Sequence, residues 1–160
     1  MFDSKKYLTS ITIPDSVMTI GNAAFSSSSL TSITLPDSIT NNGNHAFYHC
    51  NSLTSITIPD GVTSIGSYAF DSCSRLSGIK LPVTLTNIGE SAFKECTSLK
   101  SVTIPEKVTI ITDRMFYGCS SLTSIGIPDF LTQVETEAFS KPPGWLQDVL
   151  RIRLSLPAVF

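Results

Sequence analysis

Four cysteines, Cys50, Cys73, Cys96 and Cys119, and two histidines, His45 and His49, are the side chains here best suited to bond-making chemistry. Thiols can pair as disulfides, bind zinc as thiolates or attack as nucleophiles. These cysteines stand 23 residues apart each time. Zinc needs ligands that converge on one point, commonly from close CxxC pairs, and an even spacing lays them out in a line. If 23 residues make one structural turn, successive cysteines come within about 4.8 Å of each other. As equivalent positions in a stack, however, their Cβ vectors run parallel, and a disulfide dihedral near ~90° is hard to reach. Free, buried thiols acting as small apolar groups are expected.

His45 and His49 are four apart in HAFYH, beside Cys50, a spacing that can bind metal on a helix. In other units the same columns hold Ala23, Tyr68, Ser91, Arg114 and Glu137, or Ser72, Glu95 and Gly118, so both histidines read as variable surface positions. Asp15, Asp37, Asp60 and Asp129 recur regularly, with Glu106 in the same column, which is the mark of turn chemistry. Neither histidine recurs beside a serine or cysteine column with an acidic partner. No catalysis, cofactor or metal is therefore expected.

The cysteines are one column of a wider register. Phe2, Phe25, Phe47, Phe70, Phe93, Phe116 and Phe139 form another, with one step of 22 between Phe25 and Phe47. Pro14, Pro36, Pro59, Pro82, Pro105 and Pro128 form a third. Units begin at Leu8, Leu30, Leu53, Leu76, Leu99 and Leu122 with the common pattern LTSITIPDxVTxIGxxAFxxCxS. A period of this length defines a solenoid, because so short a unit buries its apolar face only by stacking on its neighbours. The array is expected over residues 1–144, starting inside a repeat at Phe2 and Lys5, with a capping strand, or alternatively a frayed tail, over 145–160. In that last segment Leu150, Ile152, Leu154 and Leu156 alternate with Arg151, Arg153 and Ser155 after Trp145.

Within a unit, LTSITIP alternates, so Leu53, Ile56 and Ile58 point inward and Ser55 and Thr57 outward, as on a parallel β-strand. Proline, lacking an N–H for the ladder, ends it, and the acidic column turns the chain. Val62 and Ile65 then suggest a second short strand on the opposite side, closed by a glycine column (Gly21, Gly43, Gly66, Gly89) that suggests positive φ. AFxxC is expected to return as one tight helical turn. About eight apolar side chains per unit go inward, and the phenylalanines should stack as a continuous spine.

At 41% hydrophobic and 15% charged residues the chain is core-rich and ordered. Its net charge of -2 and 11 scattered basic residues argue against nucleic acid. No run of about 18 apolar residues is present for membrane insertion, and MFDSKKYLTS lacks a signal-peptide layout. An uncapped N-terminal edge at Leu8, Ile11 and Ile13 would favour self-association.

The strand Leu-x-x-Ile-x-Ile-Pro, followed by Val-x-x-Ile-Gly and Ala-Phe-x-x-Cys, resembles the BspA-like, or Treponema pallidum-type, leucine-rich repeat, from Phe2 to Phe139. The resemblance implies a right-handed leucine-rich-repeat solenoid of about six 23-residue coils. It also implies a cell-surface or secreted protein, in several relatives an adhesin for host or extracellular-matrix proteins. The chain departs from the pattern at Asn42, which replaces an inward Ile, at Ser28, which replaces a Cys, and where one residue is missing before Leu30.

A protein partner would meet the outward strand positions, where Thr12, Thr34, Ser55, Thr57, Lys80, Lys100 and Thr103 are the candidate contacts. Lys80 and Lys100 are the only charges there. Six strands at about 4.8 Å by five residues at about 3.3 Å offer on the order of 450 Å². A standard interface takes about 800 Å² per partner. Two other readings compete: a structural spacer in a larger surface protein, and an ice-binding array of Ser-x-Thr ranks, which Gly78, Lys80 and Gly126 interrupt.

Overall fold

The computed structural model describes residues 3–139, so the capping strand expected over 145–160 lies outside the described residues. Six coils stack, beginning at Leu8, Leu30, Leu53, Leu76, Leu99 and Leu122, and each has three sides. Coil 3 shows how the pattern folds. Leu53, Ile56, Ile58, Val62, Ile65, Ala69, Phe70 and Cys73 all turn inward and are at most 4% exposed. These are the eight apolar positions of the repeat, and burying them is what closes the coil.

The first side carries the LTSITIP strands. Here β3 (Ser55–Thr57) pairs with β5 (Gly78–Lys80), and β7 (Ser101–Thr103) with β9 (Ser124–Gly126), all parallel. The second side carries two-residue strands. In it β1 (Thr19–Ile20), β2 (Asn41–Asn42), β4 (Ser64–Ile65) and β6 (Asn87–Ile88) form one four-stranded parallel sheet, and β8 (Ile110–Ile111) pairs with β10 (Gln133–Val134). Both strand sides are where the alternation places them. Between them the chain turns through a bond from the residue three beyond each proline to its carbonyl, as from Val62 N–H to Pro59 O at 3.0 Å. The acidic column sits inside this turn, the role its regular recurrence predicts.

The third side, at AFxxC, differs from expectation. It is tight, with bonds such as Tyr48 N–H to His45 O and Cys50 N–H to Phe47 O, both 3.1 Å, but it does not wind as a helix. In every coil the residue two before the phenylalanine has positive φ: Ala23, His45, Tyr68, Ser91, Arg114 and Glu137, at 52 to 56°. Ser27, His49, Ser72, Glu95 and Gly118, before the cysteine column, are left-handed too. Each such residue reverses the helical twist. The freed amides then point along the array and bond to the next coil, as from Phe47 N–H to Ala69 O and from Phe70 N–H to Ala92 O, both 2.8 Å.

The glycine column is also corrected. Among the described glycines only Gly118 has positive φ. Gly43, Gly66 and Gly89 serve close approach instead: a Cβ at these positions would lie 2.8, 2.5 and 2.4 Å from the backbone nitrogens of Asn22, Asn44 and Ser67. Hydrogen lets adjacent backbones come closer than any side chain allows.

The strand ladders are interrupted between coils 4 and 5. On the second side the four-stranded sheet stops at β6 and a new pair starts at β8, and on the first side β5 and β7 share no ladder. The turn side stays joined, with Ser91 N–H to Asp113 O, Phe93 N–H to Met115 O and Glu95 N–H to Tyr117 O at 2.9, 3.0 and 2.7 Å. At this boundary Thr112 replaces glycine, and its hydroxyl donates to Gly89 O at 3.0 Å; Glu135 replaces glycine at the next boundary, where the ladder is kept with Glu135 N–H to Ile111 O at 2.8 Å, so loss of the glycine does not by itself open the second side. Beside it Lys100 replaces the hydroxyl residue that elsewhere bridges coils on the first side. Ile79 and Leu81, equivalent to buried Ile56 and Ile58, are only partly buried along this seam. Substituting Thr112→Gly should let the second side close. Amide exchange at 109–112 is expected to slow about fivefold to tenfold, as for about 1 kcal/mol per recovered bond. Unchanged or faster exchange there would mean that the side chain at 112 does not set the seam.

The one-residue deletion has a local effect as well. In coils 2 to 5 the cysteine turn hands over to the next leucine through bonds such as Leu53 N–H to Cys50 O, 3.0 Å. The shorter link Ser28-Ser29 enters Leu30 without that bond, and the run 32–35 that follows forms no ladder with 10–13 before it or with β3 after it.

Candidate functional site: the exposed strand side

The interior is a scaffold. Phe25, Phe47, Phe70, Phe93, Phe116 and Phe139 stack with ring centroids 5.2 to 5.6 Å apart and planes within 21° of parallel. Beside them the four thiols are buried and free. They are more than small apolar groups. Cys50, Cys73, Cys96 and Cys119 donate S–H to the carbonyls of Phe25, Phe47, Phe70 and Phe93, at 3.0 to 3.1 Å, each reaching back one coil. Ser28, in the cysteine column of coil 1, lies 3.3 Å from the Cys50 thiol.

Burial pushes the Cys96 thiol well above its ordinary value near 9, and raises Cys119 to about 12. Cys50 moves the other way, to about 7, because the neighbouring Cys73 thiol, and then the Ser28 hydroxyl, stabilise its thiolate against the opposing effect of burial. The linkage has a definite sign. A folded-state pKa raised above the unfolded one stabilises the protein fully below pH ~9, and that contribution is lost as pH rises through about 12. Thermal stability should therefore fall between pH 9 and 12. The fall should be shallower in Cys119→Ala, and an identical slope in that variant would show that this thiol does not contribute.

On the turn side His45 stacks on Tyr68 at 4.9 Å, and Tyr48 meets His49 edge-on at 4.2 Å. Ring contacts across the left-handed corners thus occupy both histidines. Among the described residues no group of three His, Cys, Asp or Glu side chains could hold a metal ion. Asp71 is buried and pairs with Lys94 at 3.7 Å, and Arg114 pairs with Glu137 at 2.6 Å, which raises the guanidinium pKa. These pairs tie adjacent coils at the corner.

The strand side is where side chains are presented to a partner. Thr12, Thr34, Ser55, Thr57, Lys80, Lys100 and Thr103 are all exposed. The ladder brings Thr57 beside Lys80, while Lys100 and Thr103 belong to the block across the seam. Sequence reading did not separate hydroxyls that bridge coils from those left free. The bridging column lies one residue nearer the leucine: Thr54 Oγ1 donates to Thr31 O, Ser77 Oγ to Thr54 O and Thr123 Oγ1 to Lys100 O, at 3.2 to 3.3 Å. A second such column, Thr40, Thr86 and Thr132, does the same on the second side, at 3.0 to 3.2 Å. The recurrence of Thr or Ser at these positions was the available signal.

A stack of short parallel strands with an apolar Leu, Ile and Phe interior and one exposed strand side is a leucine-rich-repeat solenoid. The pattern of the BspA type leucine rich repeat region matches residues 1–96 and 43–144, six copies in all, and the chain belongs to that family. It is similar to the crystal structure of a T. pallidum leucine rich repeat protein, with 34% identity and a TM-score of 0.80 over 87% of this chain and 67% of that one. It is similar also to a leucine rich cell surface protein from Faecalibacterium prausnitzii, with 39% identity and a TM-score of 0.67 over 76% of this chain and 34% of that one. A leucine-rich repeat protein from Bacteroides ovatus matches with 33% identity and a TM-score of 0.61, over 80% of this chain and 39% of that one. The chain thus spans from about a third to two thirds of these relatives. No curated protein matches it.

Proposed function

We propose that the chain is the protein-binding module of a cell-surface or secreted bacterial adhesin, and that its exposed strand side recognises an acidic host or extracellular-matrix protein. One observation carries this reading: among the described residues the only charges on the strands of this side are Lys80, in an outward column, and Lys100, in the adjoining hydroxyl column, both exposed and set near the middle of a surface otherwise made of small neutral side chains. The similarity to a cell surface protein of F. prausnitzii supports the location. Paired lysines on a rigid sheet attract a carboxylate-rich surface and raise its encounter rate. Because about 450 Å² is near half of what one partner commonly buries, the module acts with neighbouring coils or in many copies.

The test is charge reversal. Lys80→Glu with Lys100→Glu should weaken capture of an acidic matrix glycoprotein at least tenfold and leave the unfolding midpoint nearly unchanged, both side chains being exposed. Undiminished capture by the folded double variant would remove the strand side from consideration.

A further inference from the structure

The inward column of the second side is apolar in every coil but one: Ile20, Ile65, Ile88, Ile111 and Val134 fill it, and Asn42 stands in coil 2. Asn42 is fully buried, and neither atom of its amide has a hydrogen-bond partner. An orphaned buried amide costs stability, so its presence calls for a reading other than packing. The residue after it is fixed by packing. A Cβ at position 43 would lie 2.8 Å from the Asn22 backbone nitrogen, so coils 1 and 2 approach this closely only over glycine. Asn42 is thereby the one asparagine of the chain that precedes glycine, since Asn22, Asn41, Asn44, Asn51 and Asn87 each precede a residue with a side chain.

An Asn-Gly pair carries its own chemistry. The backbone nitrogen of Gly43 can attack Asn42 Cγ, because glycine has no Cβ to obstruct the approach. The bond from Cγ to Nδ2 breaks, the proton of the attacking nitrogen passes through solvent to the departing group, and ammonia leaves. A five-membered succinimide remains, and one water molecule opens it to aspartate or isoaspartate at position 42. The folded array opposes this reaction. Gly43 N–H donates to Ile20 O at 2.9 Å, which commits the attacking nitrogen. Asn42 lies in β2 and is paired on both edges, with Ile20 of β1 and Ile65 of β4. A parallel strand holds ψ near about +115°, which turns the following nitrogen away from the side chain and prevents ring closure. Burial also keeps out the water that opens the ring.

The product does not fit where the amide did. No donor reaches Oδ1 of Asn42, so a carboxylate in its place would be buried without a partner, at a larger cost than the neutral amide. Isoaspartate adds one carbon to the main chain and shifts β2 out of register with β1 and β4. We propose that the Asn42-Gly43 pair is a latent self-modification site: closed coils protect it, and opening of coils 1 and 2 lets it deamidate to a product that bars them from closing again. Each chain then keeps a covalent, one-way record of having opened at these coils.

The test holds the full chain at mildly alkaline pH, in buffer and in unfolding guanidinium chloride, and follows the deamidated fraction at position 42 by peptide mass spectrometry. Conversion is expected to run at least about tenfold faster in denaturant, because the native chain reacts only through its small open fraction. The gain in mass separates it from isomerisation at Asp60-Gly61, which leaves the mass unchanged. Ile20→Ala loosens coil 1 over β2 without altering the reacting pair. It should speed conversion in buffer at least about threefold and leave the rate in denaturant as it was. On dilution from denaturant, the refolded fraction of the parent should fall in step with the deamidated fraction. Asn42→Ser, which has no carboxamide to cyclise, should refold as fully after long exposure as after short. Equal rates in buffer and denaturant, no conversion at position 42 in denaturant, or deamidated chains that regain full amide protection at 19–20 and 41–42 would overturn the proposal.

Discussion

Phe70→Ala should lower the free energy of unfolding by about 3 to 5 kcal/mol, the largest loss expected from any single truncation in the array. Phe70 is fully buried and stacked on both faces, 5.2 Å from Phe47 and 5.6 Å from Phe93. Alanine there removes the buried ring and leaves a cavity that cannot collapse, because backbone bonds to both neighbouring coils hold the corner on either side. Each lost ring pair adds about 0.5 to 1.5 kcal/mol beyond burial. Against a typical total of about 5 to 15 kcal/mol this separates the stack into two short blocks. Phe25→Ala, at a ring that is 8% exposed, should cost less. Urea unfolding of the two variants measures both, and a loss below about 1 kcal/mol for Phe70→Ala would show that the spine does not hold the array together.

Asn42→Ile should act in the opposite direction, stabilising the chain by about 2 to 4 kcal/mol. Asn42 is fully buried in β2, between Ile20 and Ile65 in register, and neither Nδ2 nor Oδ1 has a hydrogen-bond partner. Its backbone keeps the ladder intact, so the cost lies in the side chain alone. Isoleucine restores the column and removes two unsatisfied polar atoms, and the melting temperature should rise by roughly 5 to 15 °C. A fall on substitution would show that Asn42 is satisfied by a bound water or that the site does not accept the larger side chain.

Both effects rest on residues whose burial the repeat pattern makes plain. A residue type recurring once per coil marks an inward column, so the direction of the phenylalanine, cysteine and isoleucine columns was legible, although not the partial exposure of Ile11, Ile79 and Leu81. What the pattern hid was backbone geometry. The glycine column has two physical explanations, positive φ and close approach, and composition does not choose between them. Gly66 and Gly89 turn out to serve the second. The left-handed corners at Ala23, His45, Tyr68 and Arg114 are occupied by unlike residues, so no residue type marks them. Likewise the seam between coils 4 and 5 coincides with Lys100 and Thr112 together, each of them an ordinary substitution when read alone. For the candidate site, exposure of the outward columns was legible, whereas the loss of pairing around run 32–35 was not, because a residue missing before Leu30 leaves the alternation of the strand itself unchanged.

The central claim, that the strand side is the working surface and the other two sides are scaffold, is tested most directly by the amide-exchange footprint of a captured acidic matrix glycoprotein. The account predicts protection over Ser55–Thr57, Gly78–Lys80 and Ser101–Thr103, with no change in the four strands of the second side from Thr19–Ile20 to Asn87–Ile88. Protection confined to that second side, or to the turn corners around His45 and Tyr68, would contradict it.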